Sequence, residues 1–265
     1  MRLGIRYACA VFFLLAGMCP GATLTEDAKR AFDSYVAGVE ARLVRQHSTP
    51  ETYLAGADVA DSIQPINGGT WAVPGALLHH WRATAFVPGA TPVQLRTVLR
   101  DFERFYEHYA PEVVTARALA DNGQAATVAV RFREQRLITV VLDGEYEVES
   151  RLDGKDFGYS SSRGQHFWQV DRPGTPHERR RPEGDDDGYL WRLNSYWSFA
   201  RVAGGLRMEC EAVSLTRDVP SGLGWLIQPM IRDFPREALQ FTMTATRKAL
   251  LNGTLLNSTA LEVKR

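Results

Sequence analysis

Residues 191–199 hold the side chains best suited to chemistry, and that chemistry is the binding of an apolar molecule. Large apolar residues alternate there with polar ones, which predicts a strand with one buried face. Indole N–H groups and a serine hydroxyl could orient a mostly apolar ligand, although aromatic side chains can also fill such a space by close packing. The residues assigned to this wall are Trp191, Leu193, Ser195, Trp197 and Phe199.

A second alternating strand follows at once, which predicts a hairpin with Gly204-Gly205 at its tip. In this register Phe199 faces Cys210 and Trp197 faces Ala212, so that one face of both strands is apolar. Cys210 then lies on a buried face, where it is expected to act as a small hydrophobic residue rather than a nucleophile.

The apolar face needs a cover, and a helix from about Pro235 to Leu251 is predicted to supply it. A curved antiparallel sheet wrapped on one helix leaves a lined cavity more readily than a solid core. Ser214 is a further polar group that could orient the ligand. The other residues expected to contact a ligand, from this helix and the neighbouring strands, are Trp81, Ala83, Trp168, Met208, Phe241 and Met243.

Residues 220–231 are unusually apolar for a connection, since connections normally run over the surface. Two interpretations stay open. The segment is either a plug that closes one end of the sheet, or a gate that touches a membrane while a ligand passes. The gate residues would be Trp225, Leu226, Ile227, Met230 and Ile231.

Patterns typical of metal or cofactor chemistry are weak, and neither a metal nor a cofactor is expected. His79 and His80 are adjacent on a predicted strand, so their side chains should point to opposite faces. Residues 185–188 resemble part of a calcium loop, but Asn194 stands where a glutamate is needed, which favours a solvated loop. The sequence contains no phosphate loop, dinucleotide fingerprint or nucleophile elbow.

The N-terminus is typical of a secretory signal peptide, with Arg2 and Arg6 before an apolar run and small residues near Ala22. The run of about 11 residues is short beside the roughly 20 that a spanning helix needs. We therefore expect export to the periplasm or the medium, with residues 1–22 removed. Without the two arginines the balance of 31 basic and 31 acidic residues becomes slightly negative, which argues against nucleic acid as a partner.

The remaining chain is long enough for one domain with an N-terminal extension. Residues 23–76 are predicted to form an amphipathic helix beginning at Thr25 and then a connector over residues 50–76. Residues 77–252 read as a strand, one or two helices, about six or seven strands and a long helix, and residues 253–265 as a tail. Thr91-Pro92 predicts the start of the first of these helices, with Thr91 as the N-cap and proline at the first helical position. The fold class is therefore α+β.

This order of elements, with the segment from Val87 to Pro92 between the first strand and the first helix, resembles the START-like and polyketide cyclase-like proteins (SRPBCC) of the Bet v 1 superfamily. The resemblance implies a helix-grip fold, in which a sheet of about seven strands grips the last helix around an apolar cavity. It also implies a lipid or another hydrophobic molecule as ligand.

Three functions follow from this sequence. The first is an exported, non-enzymatic carrier of a lipid or other hydrophobic molecule, with transient membrane contact through the gate. The second is a cyclase or dehydratase that acts on a polyketide-like substrate, with acid or base groups on the strands. The third is an interaction module of the cell envelope. The residues considered for acid or base catalysis are Arg131, Glu147, Tyr159 and His166.

Overall fold

The computed structural model describes residues 22–55, 61–135, 139–218 and 224–262, with the backbone alone for residues 22, 224–232 and 254–262. Four α-helices lie in these ranges. They are α1 (Glu26–Gln46), α2 (Pro92–Arg100), α3 (Phe105–His108) and α4 (Gly224–Glu262).

Local sequence signals determine where the first two long helices begin. The Thr25 side chain accepts a hydrogen bond from the backbone N–H of Ala28 at 3.2 Å, which caps α1. Thr91 caps α2 in the same way, and Pro92 occupies the first helical position, where no backbone N–H is needed. Both starts agree with the predictions from the sequence.

The strands form one large antiparallel sheet of nine strands and a separate pair. Along the large sheet the order is β2-β3-β11-β10-β7-β6-β5-β4, with β8 paired to β7, and β1 pairs with β9. The strands are β1 (Ala22–Thr23), β2 (Ser62–Val73), β3 (Ala76–Pro88), β4 (Val113–Asp121), β5 (Ala125–Gln135), β6 (Thr139–Asp153), β7 (Phe157–Asp171), β8 (Arg179–Arg180), β9 (Asp185–Asp186), β10 (Arg192–Val202) and β11 (Gly205–Arg217).

Helices cover both faces of the sheet. We call the face that packs against α2, α3 and α4 the inner face, and the face that packs against α1 the outer face. The long C-terminal helix lies across the inner side of β3 and β11. The molecule is thus an α+β protein with the helix-grip arrangement, to which α1 adds a second cover.

Three predictions about the elements need correction. Ser62–Val73 is not a connector, because it pairs with β3 as an edge strand. Its glycines are explained by a bulge between Pro65 and Thr70, where Gly68 and Gly69 have φ of 82°. The final helix begins at Gly224 rather than near Pro235, so the backbone of residues 224–231 is helical.

The third correction concerns the hairpin, whose turn is Ala203-Gly204 rather than Gly204-Gly205. Val202 pairs with Gly205, so that Trp197 faces Cys210 and Phe199 faces Met208. A β-carbon on Gly205 would lie 2.3 Å from the carbonyl oxygen of Val87, so the glycine is needed for close strand approach. The register differs by two residues, which leaves every side chain on its predicted face.

Among the described residues, no helix combines the length and the apolar character needed to cross a bilayer.

Candidate binding site on the inner face

Buried apolar side chains on the inner face fall into two clusters. The Trp197 cluster lies under β3, β11 and β10 and includes Ala83, Ala85, Phe199, Met208, Cys210, Leu239, Met243 and Leu250. The Tyr146 cluster lies under β4 to β7 and includes Phe102, Tyr109, Val128, Val130, Val148 and Phe167, with Phe241 and Ala245 packed against it. Helix α4 contributes side chains to both clusters.

A row of mostly small side chains runs from the Trp197 cluster, against which Trp81 and Ala212 pack, to Val148 of the Tyr146 cluster. Trp81 pairs with Ala212, Ala212 with Ser195, Ser195 with Ser162, and Ser162 with Val148, which makes one row across five strands. We call Ala212, Ser195 and Ser162 the central strip. All three are partly accessible, whereas the neighbouring row from Ala83 through Cys210 and Trp197 to Ser160 is buried. At these positions the inner face therefore carries less side-chain volume than larger residues would supply.

Polar atoms without a partner lie at the edges of this region. The Trp81 indole N–H, the Tyr146 hydroxyl and the Ser150 hydroxyl are buried and have no hydrogen-bond partner within the described residues. By contrast, the Tyr109 hydroxyl lies 3.0 Å from that of Thr246 on α4. A buried polar group without a partner costs free energy, so such groups are natural contacts for a ligand.

The predicted ligand-contacting residues divide into three groups. Trp81, Leu193, Ser195 and Phe241 are partly accessible and lie at or beside the central strip. The second group is buried within the Trp197 cluster. These side chains pack closely against one another instead of lining a cavity. This second group consists of Ala83, Trp197, Phe199, Met208 and Met243.

Trp168 and Trp191 form the third group, and their predicted placement on the ligand wall is wrong. Trp168 stacks on His166 with ring centroids 5.4 Å apart and lies under the Arg180 guanidinium on the outer side. Trp191 precedes β10, packs with α1, and donates from its indole to Asp186 at 3.1 Å. Because Trp191 lies before β10, the alternation of side chains along that strand does not predict which face Trp191 is on.

Asp186 also corrects the prediction of a solvated acidic loop. Its side chain is buried, and besides the Trp191 indole it accepts the backbone N–H of Gly188 at 2.6 Å. Burial raises the pKa of this carboxyl, while the two hydrogen bonds oppose the rise. Asp186 therefore has a structural role, as a hydrogen-bond acceptor beneath the N-terminal segment.

The candidate acid and base residues lie on the wrong face for cavity chemistry. Arg131 pairs with Asp143 at 2.7 Å, and His166 with Glu183 at 2.8 Å, both on the outer side. Tyr159 contacts His47 near the end of α1, and Glu147 is exposed. None of the four faces α4, because each alternates with inner-face neighbours such as Val130 or Val148.

Ionisable residues do gather on the outer face, under α1. Glu211 is buried and accepts hydrogen bonds from Arg82 and Arg42, and its Oε2 lies 2.9 Å from His80 Nε2. Burial alone would raise the pKa of Glu211, but the His80 contact and the two arginine charges outweigh it and lower the pKa to about 2. This network holds α1 against the sheet.

The two adjacent histidines lie on opposite faces, as predicted. His79 Nε2 lies 2.9 Å from the Thr216 hydroxyl on the inner side, and His80 Nδ1 lies 2.8 Å from the Tyr35 hydroxyl under α1. Within the described residues, no group of three or more His, Cys, Asp or Glu side chains is placed to hold a metal ion.

Two cavities open on the outer side of the sheet. One of about 410 Å³ lies between α1 and strands β7 and β10, beside the Arg163–Glu40 ion pair. One of about 140 Å³ lies beside Arg131, Asp143 and Arg180. Ion-paired side chains form part of the lining of each, and neither lining includes a residue of the central strip.

The gate residues Trp225, Leu226, Ile227, Met230 and Ile231 have a helical backbone, and their side chains lie outside the described residues. Sequence reasoning missed Ser162, Ala212 and Tyr146, which complete the site. The signal was present, because Ser160, Ser162 and Gly164 alternate along β7 as small residues on one face.

No protein-family model matches the chain, and no curated protein matches it. Solved structures with a similar arrangement include a STAR-related lipid transfer protein fragment from Xanthomonas axonopodis, with 17% identity, a TM-score of 0.44, and coverage of 72% of this chain and 99% of that one. Another is the lipid transfer and protein localization domain of human StarD13, with 11% identity, a TM-score of 0.46, and coverage of 73% and 85%. The Zhui aromatase/cyclase from Streptomyces is similar at 11% identity and a TM-score of 0.37, with coverage of 67% and 93%.

Proposed function

We propose that this protein binds a lipid or another hydrophobic small molecule between the inner face of the sheet and α4. The observation that carries the proposal is the central strip, where small and partly accessible residues lie in a row that runs from one packed cluster to the other. Serine hydroxyls there could contact polar atoms of a ligand, while the flanking clusters supply apolar walls.

Binding rather than catalysis is favoured by the placement of the four acid and base candidates from the sequence, which are Arg131, Glu147, Tyr159 and His166. The strip residues are Ala212, Ser195 and Ser162, and the acid and base candidates from the sequence face away from them. A cyclase would need a proton donor or acceptor within hydrogen-bond reach of its substrate.

The test introduces larger side chains into the central strip. Ser162→Leu and Ser195→Leu should each weaken the binding of the uncharged dye Nile red at least tenfold, because the added volume occupies the space between the clusters. Native mass spectrometry of protein from its own host should show a co-purified lipid in the parent protein, and less in the variants.

The matched control is Thr127→Leu, which adds a leucine to the outer face of β5. It should leave dye affinity unchanged. Equal affinity in all three variants and the parent would contradict the proposed site.

We further propose that residues 224–231 act as a membrane-sensitive gate. Trp225→Ser with Leu226→Ser should slow ligand transfer between liposomes while leaving affinity in solution within a few-fold, because an interfacial tryptophan favours contact with a bilayer. An unchanged transfer rate would argue against the gate.

Export is the third part of the proposal, and it rests on the N-terminal pattern. The intact mass of the protein recovered outside the cytoplasm should correspond to a chain that begins near Thr23. A recovered protein that retains residues 1–22 would contradict it.

A further inference from the structure

The smaller of the two outer cavities, of about 140 Å³, has a positively charged lining. Arg117, Arg131 and Arg180 contribute to it, whereas Asp143 is the only acid among the described residues that line it. The lining therefore has an excess of two positive charges, and we call this space the arginine cavity. A concave surface with an excess of positive charge attracts anions.

The register of the strands brings these side chains together. One cross-strand row runs from Thr115 on β4 through Arg131 on β5 to Asp143 on β6. Arg117 lies two residues after Thr115 on β4, so its side chain is on the same face of the sheet. Arg180 comes from the other side, because β8 pairs with β7.

Asp143 holds two of the three arginines in place. Arg131 donates to both of its carboxylate oxygens, at 2.7 and 3.0 Å, and to Glu178 at 2.8 Å, so each guanidinium nitrogen of Arg131 already has a carboxylate partner. Arg180 donates to Asp143 from Nε at 2.8 Å, and its guanidinium lies 4.4 Å from the centre of the Trp168 ring. Burial alone would raise the pKa of Asp143, but the hydrogen bonds from the two arginines outweigh it and lower the pKa, so the carboxylate stays ionised.

Arg117 has no counter-ion. It is exposed, and no acidic side chain among the described residues lies within ion-pair distance of its guanidinium. The terminal nitrogens of Arg180 are likewise unpaired within the described residues, since only its Nε contacts Asp143. Ala129 pairs with Arg117 and lines the cavity with a small side chain. An anion in the cavity would therefore meet unpaired donors from β4 and from β8.

The size and the charge of the cavity limit its occupant. Its volume is well below the roughly 300 Å³ at which pockets for drug-sized molecules begin, so it suits a small ion or one terminal group of a larger molecule. Guanidinium groups match the oxygens of a phosphate with paired N–H donors. A cation would be repelled by the excess positive charge.

We propose that the arginine cavity binds a phosphate group, free or at the end of a larger molecule, with Arg117 and Arg180 donating to its oxygens. Asp143 positions Arg180, and the Thr115 hydroxyl is a further donor. The site is on the outer face, so it does not depend on a ligand bound at the inner face.

Calorimetric titration with inorganic phosphate, at an ionic strength held constant with sodium chloride, tests this site. Arg117→Gln should raise the dissociation constant of phosphate at least fivefold, because it removes the unpaired guanidinium. Ala129→Leu should raise it as much, because it fills the cavity without changing the charge. Arg117→Gln should not alter the melting temperature measured without phosphate, since no ion pair is lost.

Arg133→Gln is the matched control. Arg133 is an exposed arginine on the same face of β5, outside the lining of the cavity, and it has no ion-pair partner among the described residues. Its substitution should leave the dissociation constant within twofold of the parent value. Equal losses from Arg117→Gln and Arg133→Gln would mean that phosphate responds only to net charge, and would overturn the proposal.

Vesicles of phosphatidylcholine, with and without phosphatidic acid, distinguish a lipid phosphate from a free one. If the parent protein sediments only with phosphatidic acid, and Arg117→Gln does not, the group belongs to a lipid. If inorganic phosphate binds and sedimentation does not depend on Arg117, the phosphate is free or on a small soluble molecule. Binding of neither inorganic phosphate nor phosphatidic acid would overturn the proposal.

Discussion

Gly158 shows how one missing side chain shapes the packing of the sheet. It pairs with Phe199 across β7 and β10, and a β-carbon at this position would lie 2.1 Å from a carbon of that ring. The Phe199 side chain is fully buried in the Trp197 cluster, so it cannot move aside without disturbing the core.

Gly158→Ala should therefore lower the free energy of unfolding by about 2 kcal/mol through overpacking. Urea denaturation measures the change. Gly38 on α1 is the control, because nothing lies within 4 Å of its added β-carbon, and Gly38→Ala should stabilise the protein by about 0.5–1 kcal/mol. Equal effects from the two substitutions would contradict this packing.

A second prediction at the scale of single residues concerns Cys210. Its side chain is 1% exposed in the Trp197 cluster, and burial raises the pKa of the thiol. We expect a thiol reagent to label it slowly in the native protein and rapidly after denaturation. Rapid labelling without denaturant would place Cys210 on an accessible face.

At the scale of elements, α1 is the addition that distinguishes this chain from a sheet gripped by one helix. It covers Trp191, Tyr196, Val213 and Leu215 with Phe32 and other apolar side chains. Its far end is held by His47, whose Nε2 lies 2.8 Å from the Ser198 hydroxyl. Burial, together with the charge of Arg151, lowers the pKa of His47 to about 4.

The free energy of unfolding should therefore decrease as the pH is lowered. The unfolded chain binds a proton at His47 below about pH 6.5, whereas the folded protein does so only near pH 4. Between these values the unfolded state binds more protons, so stability drops as the pH falls, by about 2 kcal/mol after allowance for the partial exposure of the ring. Denaturation at pH 7 and pH 4.5 measures the drop, and His47→Gln should reduce it.

A separate prediction concerns Glu211, at the same interface between α1 and the sheet. Glu211→Gln removes a buried charge that three side chains contact, and it should lower the free energy of unfolding by about 3–5 kcal/mol because the arginines lose their partner. Glu147→Gln, an exposed change on the same face, should cost under about 0.5 kcal/mol. Similar losses for both would argue against the network.

At the scale of the whole molecule, the sheet has apolar side chains on both faces and needs both covers. A chain that begins at Asp61 would lack α1 and leave the cluster around Trp191 facing water. We expect this shortened protein to self-associate and to bind the dye ANS strongly, as measured by light scattering and fluorescence. Val44→Ser, which changes a side chain 73% exposed on α1, should have no such effect.

The sequence alone was sufficient for the elements whose signals are local. Thr25 and Thr91 marked helix starts, and alternation from Trp197 to Ala212 indicated which side chains share a face. These features depend on neighbours within a few residues, so they can be read without the fold. The α+β class and the long closing helix followed from the order of such segments.

Only the tertiary structure decided which small residues of the inner face lie side by side. Ser162, Ser195 and Ala212 come from three strands, and they form one strip because the hairpin turns at Ala203-Gly204 and β7 pairs with β10 in a particular register. Likewise, Trp191 packs under α1 because a distant helix covers the outer face. Cross-strand register and the choice of cover depend on contacts between residues far apart in the chain, and periodicity along one strand contains no information about them.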